Sequence, residues 1–295
     1  MEKFSALRDQ LLADELIAPA SIIEPEPCPW RSLALIHDPA YLAALRTGTM
    51  ARSAVRRMGF PWTERLVRRS RLAVQGTINA MRMALSDGIA GNLAGGTHHA
   101  MPAHAEGFCV LNDVAVALTV LRQEGAIERA LVVDLDVHQG NGTAACLADC
   151  PHLFTFSMHG RNNFPLKKER SDRDVPLDDR LGGDAYLRGL EAELSALPDR
   201  VCARAGGSPD LIVYLGGVDV LADDKFGRLG LTQGDLTARD RMVCEWVRTL
   251  GVPLCLLLSG GYSPTPEQTA ANHAVMYREA IRVFAQAGPH AIACS

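Results

Sequence analysis

The chain has 295 residues, a formal net charge of −4, 47% hydrophobic residues and 22% charged ones. That balance suits a globular protein with apolar material for one large core. It leaves no basic footprint for nucleic acid, and the longest clean apolar run, 252–258, is far short of the roughly 20 residues that span a bilayer.

In chain order, the opening MEKFSALRDQLLADELIAP carries charges throughout and lacks the apolar centre of a secretory leader. SLALIH, 32–37, reads as a buried strand. Seven arginines (52, 56, 57, 65, 68, 69 and 71) then face the single acid Glu64. They read as a solvated helix face or as a steering patch for an acidic partner. Within that stretch Met58, Phe60 and Trp62 either border a greasy entrance or pack into the core. A helical pattern follows over 71–88, then a glycine-led loop with His98 and His99, then helical patterns over 113–125, 184–197 and 237–251. Between them the apolar runs 130–137, 153–158, 211–217 and 252–261 read as strands. Strands apolar on both faces, alternating with helices, predict an α/β fold with a central, mostly parallel sheet covered on each side. No linker composition divides the chain, so one domain is expected over 1–295. The eight cysteines (28, 109, 146, 150, 202, 244, 255 and 294) form no CxxC pair and read as reduced thiols of a cytoplasmic protein.

In such a sheet, ligands gather beyond the carboxyl ends of the strands. DLDVHQGNG follows the run at 130. If the chain stays extended to 138, then Asp134, Asp136 and His138 share one face. Carboxylates that close repel, and burial penalises each; a cation relieves both costs. Capping of a following helix is the other reading. Asp219, in GGVD, is either a turn residue or a third ligand. With Asp136 and His138 it would complete an Asp–His–Asp set suited to Zn²⁺, leaving a position for water. His98 and His99 are either surface residues or a general base and acid, with Asp134 and Asn141 as orienting partners. Tyr262, in SGGYS, either packs in its loop or donates to a developing oxyanion.

GGTHHA, GFCVLND, DLDVHQGNGT, GGVDVLADD and SGGY, in that order from about residue 37 to 262, resemble the histone deacetylase family of the arginase/deacetylase fold. HQGNG and RSDRDVPL are most similar to its class IV branch and bacterial relatives. The resemblance implies zinc ligation by Asp136, His138 and Asp219. It implies catalytic roles for His98, backed by Asp134, for His99, backed by Asn141, and for Tyr262. It also implies an acyl-lysine tunnel walled by Gly107, Phe108 and Phe164, and structural potassium held by Asp134, Asp136, His138, Ser157 and Met158. The activity implied is hydrolysis of the amide of an acylated lysine or of a small acylated amine such as an acetylpolyamine. A silent acyl-lysine binder would need no Tyr262. A two-manganese ureohydrolase would need a second ligand set, and no DAHxD-type motif is present. Asn141 stands where several relatives have Asp, and Asp223 where many have Gly. Oligomeric state, acyl length and histones as substrates are not implied.

Overall fold

The computed structural model describes residues 2–285. Five helices come first: α1 (Glu2–Ala13), α2 (Trp30–Leu33), α3 (Pro39–Thr47), α4 (Arg52–Met58) and α5 (Glu64–Asp87). Their ends follow local chemistry. The Asp38 carboxylate accepts from the N–H groups of Ala40 (2.7 Å) and Tyr41 (3.1 Å) just before Pro39. Thr63 caps α5 through the Leu66 N–H at 3.0 Å. Then follow β1 (Ile89–Asn92), α6 (Asp113–Gln123), β2 (Ala130–Asp134), α7 (Asn141–Leu147), β3 (Leu153–Gly160) and β4 (Arg173–Leu177). Last come α8 (Gly183–Ala205), β5 (Leu211–Leu215), α9 (Gln233–Leu250), β6 (Leu254–Leu257) and α10 (Pro266–Ala285).

The six strands form one sheet in the order β1-β6-β5-β2-β3-β4, and every neighbouring pair is parallel. Two cores result, one per face. Leu131, Val133, Ile212 and Tyr214 belong to the core that includes residues of α1, α8, α9 and α10. Ala130, Val132, Val213 and Leu215 belong to the other, with residues of α3, α5 and α6. Alternate residues of one strand thus enter opposite cores, which is why β2 and β5 are apolar throughout. Each fully buried aliphatic side chain contributes about 1.5–3 kcal/mol.

Several boundaries differ from expectation. Residues 32–37 are not a strand: α2 starts behind Pro29 and turns on, with His37 N–H donating to Leu33 O at 2.9 Å. A short apolar run carries no period of its own. β2 stops at Asp134, β5 at Leu215, and β6 covers only Leu254–Leu257. α5 begins at Glu64, so the arginine-rich stretch is α4 plus the first turns of α5. Arg52, Arg56, Arg57, Arg65 and Arg68 are exposed there, whereas Arg71 lies over the Trp30 ring and donates to Cys28 O at 2.8 Å. Met58 is buried, and Trp62 donates its indole N–H to Leu45 O at 2.8 Å, so both belong to the core. Phe60 stacks against Phe108, 5.3 Å between ring centroids. The cysteines at 28, 109, 146, 150, 202, 244 and 255 are free thiols, and Cys294 lies outside the described residues. No helix among the described residues is long and apolar enough to cross a membrane.

Candidate active site

The chain bends after Asp134, so Asp134, Asp136 and His138 do not share a strand face. The extended-strand expectation fails there, and the bend separates their roles. Asp134 turns to His98, with Oδ2 2.7 Å from Nδ1, and its Oδ1 accepts the Asp136 N–H at 3.1 Å. Asp136 and His138 meet Asp219 beyond β5, and Asp136 Oδ1 also stands 3.9 Å from His98 Nε2. His138 Nδ1 lies 3.0 Å from Asp136 Oδ1 and 3.1 Å from Asp219 Oδ2. One donor atom from each of the three residues falls within 4.8 Å of the others, and all three residues are buried. Two carboxylates and an imidazole so placed fit a divalent cation of zinc type.

The surroundings hold these groups. Asp219 Oδ1 accepts the Val137 N–H at 3.0 Å, and Asp136 Oδ2 accepts the Gly260 N–H at 2.6 Å. A Cβ on Gly260 would overlap Asp219 Oδ2, so the close approach requires glycine there. Beneath, the buried Arg239 guanidinium donates to Gly217 O (2.7 Å) and Leu135 O (3.4 Å) and pairs with Asp240. It ties together the two strand exits that carry the ligands. Burial is the largest influence on His138 and pulls its pKa down, but the Asp136 and Asp219 carboxylates outweigh it and raise it to about 10. Burial, then Asp136, raises Asp219 to about 6. A cation at this point would take over the neutralising role of that proton.

The paired histidines lie with ring centroids 4.1 Å apart and ring planes tilted by 47°. Their electrostatics diverge. Burial disfavours the His98 imidazolium, yet Asp134 and Asp136 overcome it and raise the pKa to about 9. His99 donates from Nδ1 to Asn141 Oδ1 at 2.7 Å. Burial, then His98 and His138, holds it well below the ordinary histidine range. His99 is therefore neutral, with Nε2 as its free acceptor. The loop before them hangs on Asp113, whose carboxylate accepts from Gly96 N–H (2.9 Å), Thr97 N–H (2.7 Å), Thr97 Oγ1 (2.6 Å) and Thr77 Oγ1 (2.5 Å).

Tyr262 faces the same cavity. Its N–H donates to Asp224 Oδ2 at 2.6 Å, and Asp224 Oδ1 also accepts from Phe226 and Gly227. Asp223 is exposed and meets only Gln268, so Asp224 alone closes this loop. Burial pushes the Tyr262 phenol upward, which keeps it a donor. The cavity holds about 1100 Å³. Phe108, Phe164 and Phe226 are exposed at its mouth. Phe164 meets the His99 ring edge-on at 4.9 Å, and a Cβ on Gly107 would stand 2.7 Å from His99 Cδ2. His98, His99, Gly107, Phe108, Phe164 and Tyr262 thus line one cavity, with Asp134 and Asn141 behind the two histidines. Ser157 is the register partner of Asp134, with Oγ 2.9 Å from His159 Nδ1, and Met158 is buried beside it. Asp113 and Arg239 were not legible as site residues. Asp113 ends the GFCVLND motif but reads there as an ordinary helix-start acid, and Arg239 is one of several charges in α9 with nothing local to single it out.

The histone deacetylase domain family model matches residues 1–278. An uncharacterised protein of Picosynechococcus sp. is 41% identical over 284 residues, covering 96% of this chain and 93% of that one. Histone deacetylase 2 of Arabidopsis thaliana is 29% identical over 272 residues, covering 89% and 68%. Among solved structures, an HDAC homologue from Aquifex aeolicus superposes with a TM-score of 0.75 at 22% identity, covering 96% of this chain and 81% of that one.

Proposed function

The chain belongs to the histone deacetylase family, and from that premise we propose that it hydrolyses the amide of an acylated lysine or a related acylated amine, with one zinc on Asp136, His138 and Asp219. The observation that carries this reading is the convergence of that triad, the His98–His99 pair and Tyr262 on one cavity. Zinc would supply Lewis acidity to the carbonyl and lower the pKa of the attacking water. His99, neutral with its Nε2 free, accepts the water's proton and returns it to the departing amine. His98, drawn toward imidazolium by Asp134, stabilises the negative charge that develops. Tyr262 donates its hydroxyl hydrogen to the same oxyanion. Gly107, Phe108 and Phe164 admit the lysyl stem. Potassium held around Asp134, Asp136, His138, Ser157 and Met158 would brace the strand exits. A cytoplasmic setting completes the reading.

The test is a panel of lysine peptides, acetyl to myristoyl, run beside acetylated polyamines on metal-analysed protein. About one zinc per chain with turnover of at least one acylated amine is expected. Two manganese ions per chain would overturn it. Tyr262→Phe should lower kcat by about 10²–10³, the usual cost of one oxyanion donor, with zinc retained. Unchanged turnover in that variant would refute the assigned role, and good acyl-peptide affinity without any hydrolysis would favour a silent binder.

A further inference from the structure

The cavity does not end at the ligand triad. It runs on between the amino end of α1, α5 and two strand-exit loops, where Lys3, Arg69, Ser70, Gly96, Ser259 and Gly261 line it. Lys3 and Arg69 are the two cations among these six. Among the described residues, the single acid lining any part of the cavity is Asp136. Lys3 Nζ donates to the carbonyls of Ser259 and Gly261, each at 3.3 Å. Those residues flank Gly260, whose N–H holds Asp136, so the ammonium sits immediately behind the reacting centre. The Arg69 guanidinium lies over the Phe4 ring at 5.1 Å and has no hydrogen bond or ion pair among the described residues. Both side chains are half-buried. Burial disfavours the charge of each; for Lys3 the Asp219, Asp136 and Asp224 carboxylates offset part of that cost, whereas Arg69 is withdrawn from water with no such partner among the described residues, which is costly.

On the deacylase reading, a lysyl stem entering between Phe108 and Phe164 would bring its amide to the triad and Tyr262, in the same cavity that Lys3 and Arg69 line. We infer that this rear compartment is a carboxylate-binding subsite, which selects acyl groups ending in an acid, of the succinyl or glutaryl class, over straight-chain groups of equal length. The inference rests on the deacylase reading. Hydrolysis of such a substrate consumes one water, breaks the amide C–N bond, and releases the lysine amine and a dicarboxylate, with no other reactant.

The experiment uses the zinc-loaded, full-length protein and one lysine peptide carrying in turn acetyl, butyryl, succinyl, pentanoyl and glutaryl groups. We expect kcat/KM for succinyl over butyryl, and for glutaryl over pentanoyl, to reach about tenfold or more, the size of one charge-assisted hydrogen bond. Arg69→Gln and Lys3→Gln should each collapse those ratios toward one. Each ratio is read within a single variant, so a general loss of turnover cancels. Calorimetry gives a second readout: free glutarate should bind about tenfold tighter than pentanoate, and Arg69→Gln should abolish the difference. Ratios near one in the unaltered protein, with the acetyl peptide hydrolysed, overturn the subsite and leave the deacylase reading standing. Hydrolysis of none of these peptides, nor of the longer acyl-lysines and acetylated polyamines of the wider panel, overturns the deacylase reading, and the calorimetric comparison alone then decides the subsite.

Discussion

Gly260→Ala is the sharpest test of the ligand geometry. The added Cβ would overlap Asp219 Oδ2 and stand 2.6 Å from Asp136 Oδ2 and 2.8 Å from Asp219 Cγ. Since Cβ atoms essentially never approach within 3.0 Å of another heavy atom, the Asp136 oxygen must retreat by at least about 0.4 Å, and the Asp219 oxygen by more. Metal sites tolerate roughly 0.2 Å. The Gly260 N–H, which fixes Asp136 at 2.6 Å, is disturbed at the same time. Loss of such an outer support typically costs 10- to 100-fold in metal affinity, or about 1.4–2.7 kcal/mol, and direct displacement of two ligands should reach at least the upper end. Zinc per chain after dialysis against a graded chelator measures this, with kcat beside it. Gly189→Ala in α8 is the control. Its Cβ meets only Met158 Cε, at 3.6 Å, and alanine in a helix should stabilise by about 0.5–1 kcal/mol. A Gly260→Ala protein that held zinc as tightly as its parent would refute the proposed triad.

Other predictions concern the supports. Asp113→Asn should destabilise the protein by about 2–4 kcal/mol, because a buried carboxylate with four donors becomes a mismatched amide, and should lower kcat with zinc content unchanged; urea unfolding and metal analysis separate the two effects. Arg239→Met leaves Asp240 buried without its partner and should cost about 3–5 kcal/mol, seen as a lower urea midpoint. His37 donates from Nδ1 to Met101 O (3.1 Å) and accepts the Asn112 N–H at Nε2 (3.0 Å), and burial holds its pKa down at about 4. The folded protein therefore resists a proton that the unfolded chain accepts below about 6.5. Stability should fall as pH drops from 6.5 toward 4, by about 3 kcal/mol from this residue in all. His37→Gln should flatten the slope of unfolding free energy by about 1.4 kcal/mol per pH unit between 6.5 and 5. An unchanged slope would refute the assignment.

The strands β2, β5 and β6 were legible because each is apolar on both faces, which solvent exposure on one side would not allow; β3 showed as a short run led by Leu153, Phe154, Phe156 and Met158, although its other face carries Thr155, Ser157 and His159. β1 and β4 were not. IAGN is four residues with a glycine at the sheet edge, and RDVPL is partly exposed, so neither shows a buried run. The candidate ligand residues stood out as chemistry, since acids and imidazoles at the end of a core strand demand compensation. The geometric route to them was wrong: a bend after Asp134, rather than a shared strand face, sends Asp136 and His138 toward Asp219. That bend depends on Arg239, about a hundred residues later, and on backbone groups from the β6 exit, and no local pattern reports such distant partners. The same holds for Asp113, which resembles an ordinary helix-start acid until the loop carrying His98 folds over it.

The proposed ligands come from the exits of β2 and β5, adjacent central strands separated in the chain by some eighty residues. A cation bridging them is in effect a rivet through the middle of the sheet. Holding the cation and holding the two exits together are then one event, so removing it with a chelator should loosen the centre of the sheet as well as empty the site.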